Sequence, residues 1–286
     1  MSCLRLNMSG KCSLMRRSVY LLCAAVVGGV FVLPTSAHAV DLASHKAIYD
    51  IRMKSTQTGS QVLDVRGKML FTFKKSCDGW ISNHKFALDY EYTGTSPLAV
   101  ESNFTSFEDF GGKSLNFSSN RTTNGEPDQQ LRGLATVSSG AKGIARFSIP
   151  EDLSFNLTGA TLFPAAHTIR LIEAAQKGEK LVNAQVFDGS DDKGPVEINA
   201  VIGKKTLPQP DMKLDKSLVG GSGWLMRLAV FPTTGDESQP ISDYEMTMNL
   251  LENGVIKDMT VDYHNFSVTQ KLVAIEPLKE DKCGVE

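Results

Sequence analysis

From Ala47 onward the apolar residues recur at every second position. Ala47, Tyr49, Ile51 and Met53 share one face, and Leu63, Val65, Met69, Phe71 and Phe73 share another, with Asp64, Arg66 and Lys68 opposite. Alternation of this kind marks strands with one wet face, the habit of antiparallel sheets. Trp80, His84, Phe86, Leu88, Tyr90 and Tyr92 continue it, followed by Val100, Phe104 and Phe110. Leu115 with Phe117, then Leu131, Ala135 and Val137, then Phe147 with Ile149 give further short strands. Thr93-Gly94, Gly111-Gly112, Asn124-Gly125 and Gly140 supply turns between them. So many strands at this spacing predict an all-β fold, a large sandwich or barrel.

The pattern breaks between Phe163 and Gly178. Ala165, Ile169, Ile172 and Ala175 recur at helical spacing, Thr161 can cap, Pro164 suits the first turn and Gly178 ends the run. A single amphipathic helix over 164–177, amid strands, is expected to plug or cover an opening in the sheet, with Ile169 and Ile172 buried. Strands resume at Leu181–Phe187, Val196–Ile202 and Trp224–Phe231, and residues 203–222, with Pro208, Pro210, Gly220 and Gly221, read as a long irregular crossing. Tyr244, Met246, Met248 and Leu250 alternate inward. Asn253-Gly254 then signals a two-residue hairpin, and Val255, Met259, Val261 and Tyr263 answer on the returning strand. Parity slips at His264-Asn265, which predicts a bulge or corner before Phe266 and Val268. No repeat or linker divides residues 40–286, so one domain is expected.

The first 39 residues read as a secretion signal. Arg16 and Arg17 precede an apolar run from Ser18 to Leu33, and Ala37-His38-Ala39 is a small-x-small cleavage site that makes Val40 the first mature residue. No second run of spanning length follows, so the mature chain is not expected to span a membrane. Cleavage removes Arg5, Lys11, Arg16 and Arg17, which leaves 26 of the 30 bases against all 32 acids, a net charge of −6. Such a surface argues against a nucleic-acid partner, which needs a basic stripe. Cleavage also removes Cys3, Cys12 and Cys23 and leaves one pair, Cys77 and Cys283, 206 positions apart. An export signal with one surviving pair points to an oxidising compartment, most simply the periplasm. A bond between them would enclose nearly the whole mature chain.

Candidate chemistry is sparse. His84 lies on the apolar face of its strand and His167 one turn into the helix, but neither has a Cys or His at metal-ligand spacing, and a core histidine is the better reading. Gly220-Gly221-Ser222-Gly223-Trp224 lacks the glycine two after the serine that a nucleophile elbow needs, and it precedes a strand. Asp188-Gly189-Ser190-Asp191-Asp192 lacks calcium-loop spacing and reads as an acidic turn. No metal, cofactor or catalytic residue is assigned.

Several motifs nonetheless come in a recognisable order. Cys77-Asp78-Gly79-Trp80 is followed by Gly159-x-x-Leu162-Phe163-Pro164-x-x-His167-Thr168, Val186-Phe187-Asp188-Gly189-Ser190 and Trp224-x-x-Arg227-Leu228-Ala229-x-Phe231. Tyr244-Glu245, Asn253-Gly254-Val255, Asp262-Tyr263 and Cys283 complete the order. Over residues 41–283 the chain resembles the EipB family of alphaproteobacterial cell-envelope integrity proteins, departing from its pattern at His264, where a glycine usually follows the tyrosine. The resemblance implies a periplasmic protein with a broken, spiralling barrel, a helix packed inside, a disulfide joining Cys77 to Cys283, and a non-enzymatic role in envelope integrity. It implies no cofactor and leaves the partner as a periplasmic protein or envelope component, with the oligomeric state open. The alternative is a carrier of an apolar, lipid-like ligand, since Phe, Met and Leu line nearly every inward face. Against that stands the simpler expectation that those faces only make the core.

Overall fold

The computed structural model describes residues 40–138, 140, 142–208, 213–233 and 241–284. Residues 1–39, where the signal and its cleavage site at Ala39 are expected and which hold three of the five cysteines, lie outside the described residues, as does Pro210. Residues 39–286 make one compact unit.

Eight strands come first: β1 (His45–Thr56), β2 (Val62–Lys75), β3 (Gly79–Tyr92), β4 (Leu98–Asp109), β5 (Ser114–Thr123), β6 (Glu126–Thr136), β7 (Gly143–Ile149) and β8 (Ser154–Leu157). Helix α1 (Pro164–Gln176) follows, then β9 (Leu181–Val186), β10 (Val196–Thr206), a single turn α2 (Lys216–Val219), β11 (Gly223–Pro232), β12 (Tyr244–Leu251), β13 (Ile256–Asp262) and β14 (Phe266–Pro277). All fourteen strands form one antiparallel sheet in the order β8-β7-β6-β5-β4-β3-β2-β1-β14-β13-β12-β11-β10-β9. The chain therefore starts in the middle of the sheet, meanders to one edge, crosses through α1 to the other edge, and meanders back until β14 pairs with β1.

The sheet is open between β8 and β9 but curls so that the connection covers an edge. Leu162, just before α1, bridges in parallel to Val186 of β9. Its N–H donates to the Gln185 carbonyl and its carbonyl accepts from the Phe187 N–H, at 2.9 and 3.0 Å. An edge strand left bare would invite a second chain, and this short bridge occupies the C-terminal end of the β9 edge. Phe163 and Phe187 then pack with Leu115, Phe117, Phe147 and Leu157 into a buried cluster that closes the seam.

Helix α1 lies inside the curl. Leu171, Ile172, Ala174 and Ala175 pack against Val182, Ile198, Ala200, Met226 and Leu228 of β9 to β11. Ile172 is fully buried as its spacing predicts, whereas Ile169 is half-buried at the margin of that cluster. Thr161 does not cap the helix: Phe163 holds the cap position with no side-chain bond, and the Thr161 hydroxyl is engaged with Thr158 and Gln185. At the far end Gly178 takes φ +77° and its N–H donates to the Ala175 carbonyl, a glycine stop of the usual kind.

Four local expectations are corrected. Strand β2 carries a register shift between Val62 and Asp64, so Val62 is buried and Leu63 is 57 % exposed; parity cannot be counted through a bulge. The parity slip at His264-Asn265 is the turn of the β13–β14 hairpin, closed by the Tyr263 N–H on the Phe266 carbonyl. The stretch 203–222 is not wholly irregular, since β10 runs to Thr206 and α2 forms behind an Asp215 cap. The two Asn-Gly pairs also differ. Asn124-Gly125 makes a two-residue hairpin with both residues at positive φ, whereas Asn253-Gly254 belongs to a three-residue loop closed by Leu251 and Val255, with Gly254 alone at φ +84°.

Candidate functional site

Ala47, Tyr49, Ile51 and Val65 of β1 and β2 are buried in a second cluster with Leu218, Val219, Leu251 and Val255, but because α1 packs on the β9–β11 side, other inward positions of β1 to β4 are left facing space. That space is a cavity of about 470 Å³ between the helix and the wall. Part of the Phe, Met and Leu lining is core, and part of it borders this cavity.

Register sets the chemistry of the wall. His45 pairs with Phe73, Phe73 with Ser82 and Ser82 with Ser106, so one row across four strands alternates histidine, aromatic and hydroxyl. The two serine hydroxyls bond each other at 2.8 Å. The neighbouring row puts His84 between Phe71 and Phe104, with ring centroids 4.7 and 5.7 Å away. Further along the strands the lining turns largely apolar: Met69 lies opposite Phe86, and Met248 opposite Met259, with Met246 beside them and Gln270 as a polar exception opposite Met259. The cavity thus has a polar band at one level and a methionine-rich zone at another.

Glu108, on β4, anchors the helix to this wall. It is 3 % exposed, and its two carboxylate oxygens accept the N–H groups of Ala165 and Ala166 at 2.7 and 2.8 Å. The first turn of a helix has N–H groups with no partner inside the helix and favours negative charge, so a carboxylate from another element satisfies both needs. Burial pushes the Glu108 carboxyl up to about 7, outweighing the two backbone bonds that favour its charged form.

Three polar atoms on the lining are buried without a hydrogen-bond partner: His45 Nε2, His167 Nε2 and Gln270 Oε1. For His45 the roles follow from geometry. Its Nδ1 lies 2.7 Å from the Ala43 carbonyl, which can only accept, so Nδ1 carries the proton and Nε2 is a bare acceptor. Burial holds His84 and His167 down at about 4, and it also lowers His45, so all three rings are neutral at pH 7.

The residues singled out from sequence are distributed unevenly. His84 and His167 do meet on one cavity, but neither is hydrogen-bonded to a hydroxyl or a carboxylate among the described residues. Among the described residues no three His, Cys, Asp or Glu side chains are placed to hold a metal ion. Ser222 leads into β11, with only the short α2 before it. In the acidic turn, Asp188 and Asp191 accept the N–H groups of Ser190 and Lys193, ordinary turn bonds. Gly189 there lies against the Phe117 ring, where an added Cβ would come within 2.4 Å. Sequence reasoning passed over His45 and Glu108. Both keep the inward parity of their strands, which was a usable signal, but nothing local shows that Glu108 meets a helix 57 positions away.

Cys77, in the β2–β3 turn, is bonded to Cys283, with Cα atoms 5.4 Å apart. The tail is held along the same edge of the wall by Leu278, whose N–H donates to the Ser44 carbonyl, and by the Lys74–Asp281 ion pair.

Comparison with known proteins matches this architecture. The chain is 29 % identical over 245 residues to the cell envelope integrity protein EipB of Brucella abortus, covering 85 % of this chain and 86 % of that one. It superimposes on the crystal structure of a beta-barrel-like protein of a domain of unknown function from Brucella abortus with a TM-score of 0.76 and 29 % identity, over 84 % of this chain and all of that one. The EipB-like family model matches residues 36–279, and the chain belongs to that family.

Proposed function

We propose that this protein supports the integrity of the cell envelope from the periplasm, by binding a protein or envelope component and not by catalysis. The observation that carries this is the match, along most of both chains, to a relative named for cell-envelope integrity. The predicted export signal and the Cys77–Cys283 bond are what an oxidising exterior compartment favours. Among the described residues no helix is long and apolar enough to cross a membrane. Deleting the gene should sensitise cells to detergents and to wall-directed antibiotics, and the full-length gene should restore resistance. Unchanged resistance would overturn the reading. Mass measurement of the exported protein should show Val40 as its first residue.

A second reading is favoured by the cavity. About 470 Å³ lies within the range of small-ligand sites, and apolar side chains, aromatic, aliphatic and methionine, make up most of its lining. On this reading the protein acts by holding an apolar ligand. Mass spectrometry of natively purified protein tests it, with a bound small molecule as the expected result.

A further inference from the structure

The cavity is amphipathic in a way that selects its occupant. The lining carries two histidine nitrogens, on His45 and His167, that are buried, neutral and unpartnered. A buried acceptor without a donor forfeits the full value of its lost water, so such groups are retained where something else supplies the donor. No Lys or Arg is among the described residues on the lining, and its ionisable acids are Glu108 and Asp188. An anionic head group would therefore enter a dry site with no cation to meet it and two acids nearby, which is costly. The zone beyond is built from Met69, Met246, Met248 and Met259, unbranched side chains that repack around flexible apolar chains. The volume suits one chain and is small for a two-chain lipid.

We propose that the cavity binds an uncharged single-chain amphiphile, a hydroxyl or amide N–H donating to His45 Nε2, a second polar group of the head pairing with His167 Nε2, and its chain lying among the methionines. This rests on the ligand-carrier reading above and specifies its ligand class.

Three probes with the same ten-carbon chain separate the terms: 1-monodecanoylglycerol, methyl decanoate and decanoate at pH 7.5. Trp80 lies on the cavity wall and is one of two tryptophans in the chain, so intrinsic fluorescence reports occupancy. Monodecanoylglycerol should bind at least about tenfold more tightly than either of the others, the scale of one or two buried hydrogen bonds. Equal or tighter binding of methyl decanoate or decanoate would overturn the head-group assignment and leave the carrier reading standing. Failure of all three to bind would overturn both. In His45→Phe the preference for monodecanoylglycerol over methyl decanoate should fall about fivefold or more, with methyl decanoate itself little changed. Should that variant not fold, His167→Leu makes the same test. An unaltered preference in a folded variant would overturn the assignment.

Discussion

The two sides of the curled sheet solve the same problem differently. On the β9–β11 side the inward residues meet α1, and Ile172, Ala174, Ala200 and Met226 are at most 1 % exposed. On the β1–β4 side Ala47, Tyr49, Ile51 and Val65 are packed as closely in a second cluster, yet the aromatic residues Phe71, Phe73 and Phe86, which border the cavity, stay only half-buried. One sequence pattern, period-two apolar alternation, has produced close-packed core around α1 and a stretch of cavity wall on β2 and β3. Alternation specifies which face is dry, and it takes a third element to decide whether that face is filled. The less filled side also carries the staples: the Cys77–Cys283 bond, the Lys74–Asp281 and Lys75–Asp41 pairs, and the tail that crosses beside β1.

This contrast can be broken most forcefully at the disulfide. Cys77→Ser should cost about 2–5 kcal/mol, since the bond closes a loop of 206 residues. Cys77→Ser with Cys283→Ser should cost no more than either alone, because all remove one bond. Hydrogen exchange should then quicken at the β2–β3 turn and over residues 278–284 while α1 stays protected. Uniform loss of protection would mean the two sides are not separable.

The helix side answers to cavity creation. Ile172→Ala should destabilise by about 2–5 kcal/mol in urea unfolding, as a fully buried side chain does. Phe71→Ala removes more atoms, but from a wall already facing open space, and should cost less than about 2 kcal/mol. If the order reverses, the cavity side is the better packed of the two.

Acid should weaken the cavity side selectively. His84 and His167 titrate near 4 in the folded protein against an ordinary 6.5. Between those values the unfolded chain binds more protons, so stability rises with pH and is lost as pH falls from 6.5 towards 4, by roughly 3 kcal/mol per histidine. Glu108 works the other way: held at about 7 against an ordinary 4.5, it is protonated longer in the folded state, and its contribution declines as pH rises through that window. Two histidines outweigh one carboxyl, so the urea midpoint should fall between pH 6.5 and 4.5. A His84→Phe, His167→Leu variant should lose most of that fall, and an unchanged slope would place the sensitivity elsewhere.

The smallest effect should come from a site in neither region. Gly125 sits at φ +82° in the β5–β6 turn with open space where a Cβ would go, so Gly125→Ala pays only for left-handed backbone, about 1 kcal/mol. Its thermal shift sets the scale against which the other variants are read.

Much of this was readable along the chain, because it depends on neighbours in sequence. Alternation over β1 to β4, helical spacing with Pro164 and Gly178 around α1, and Asn-Gly at two hairpins are contests settled within a few residues. Inward parity was equally visible and failed where a bulge intervened, at Leu63, where a hairpin turn posed as one, at His264-Asn265, and just past strand ends, at the exposed Phe110 and Tyr263. Distance in sequence is what hid the rest. That the sheet curls until Leu162 meets β9, that α1 settles against β9 to β11, and that Glu108 takes the amides of Ala165 and Ala166 all depend on elements far apart in the chain. So does the meeting of His45, His84 and His167 on one cavity, since each is locally just a histidine with aromatic or apolar neighbours. Local energetics determined the strands, the helix and their wet and dry faces. Only the packing of the whole sheet around one short helix decided which dry positions became core and which came to line the cavity.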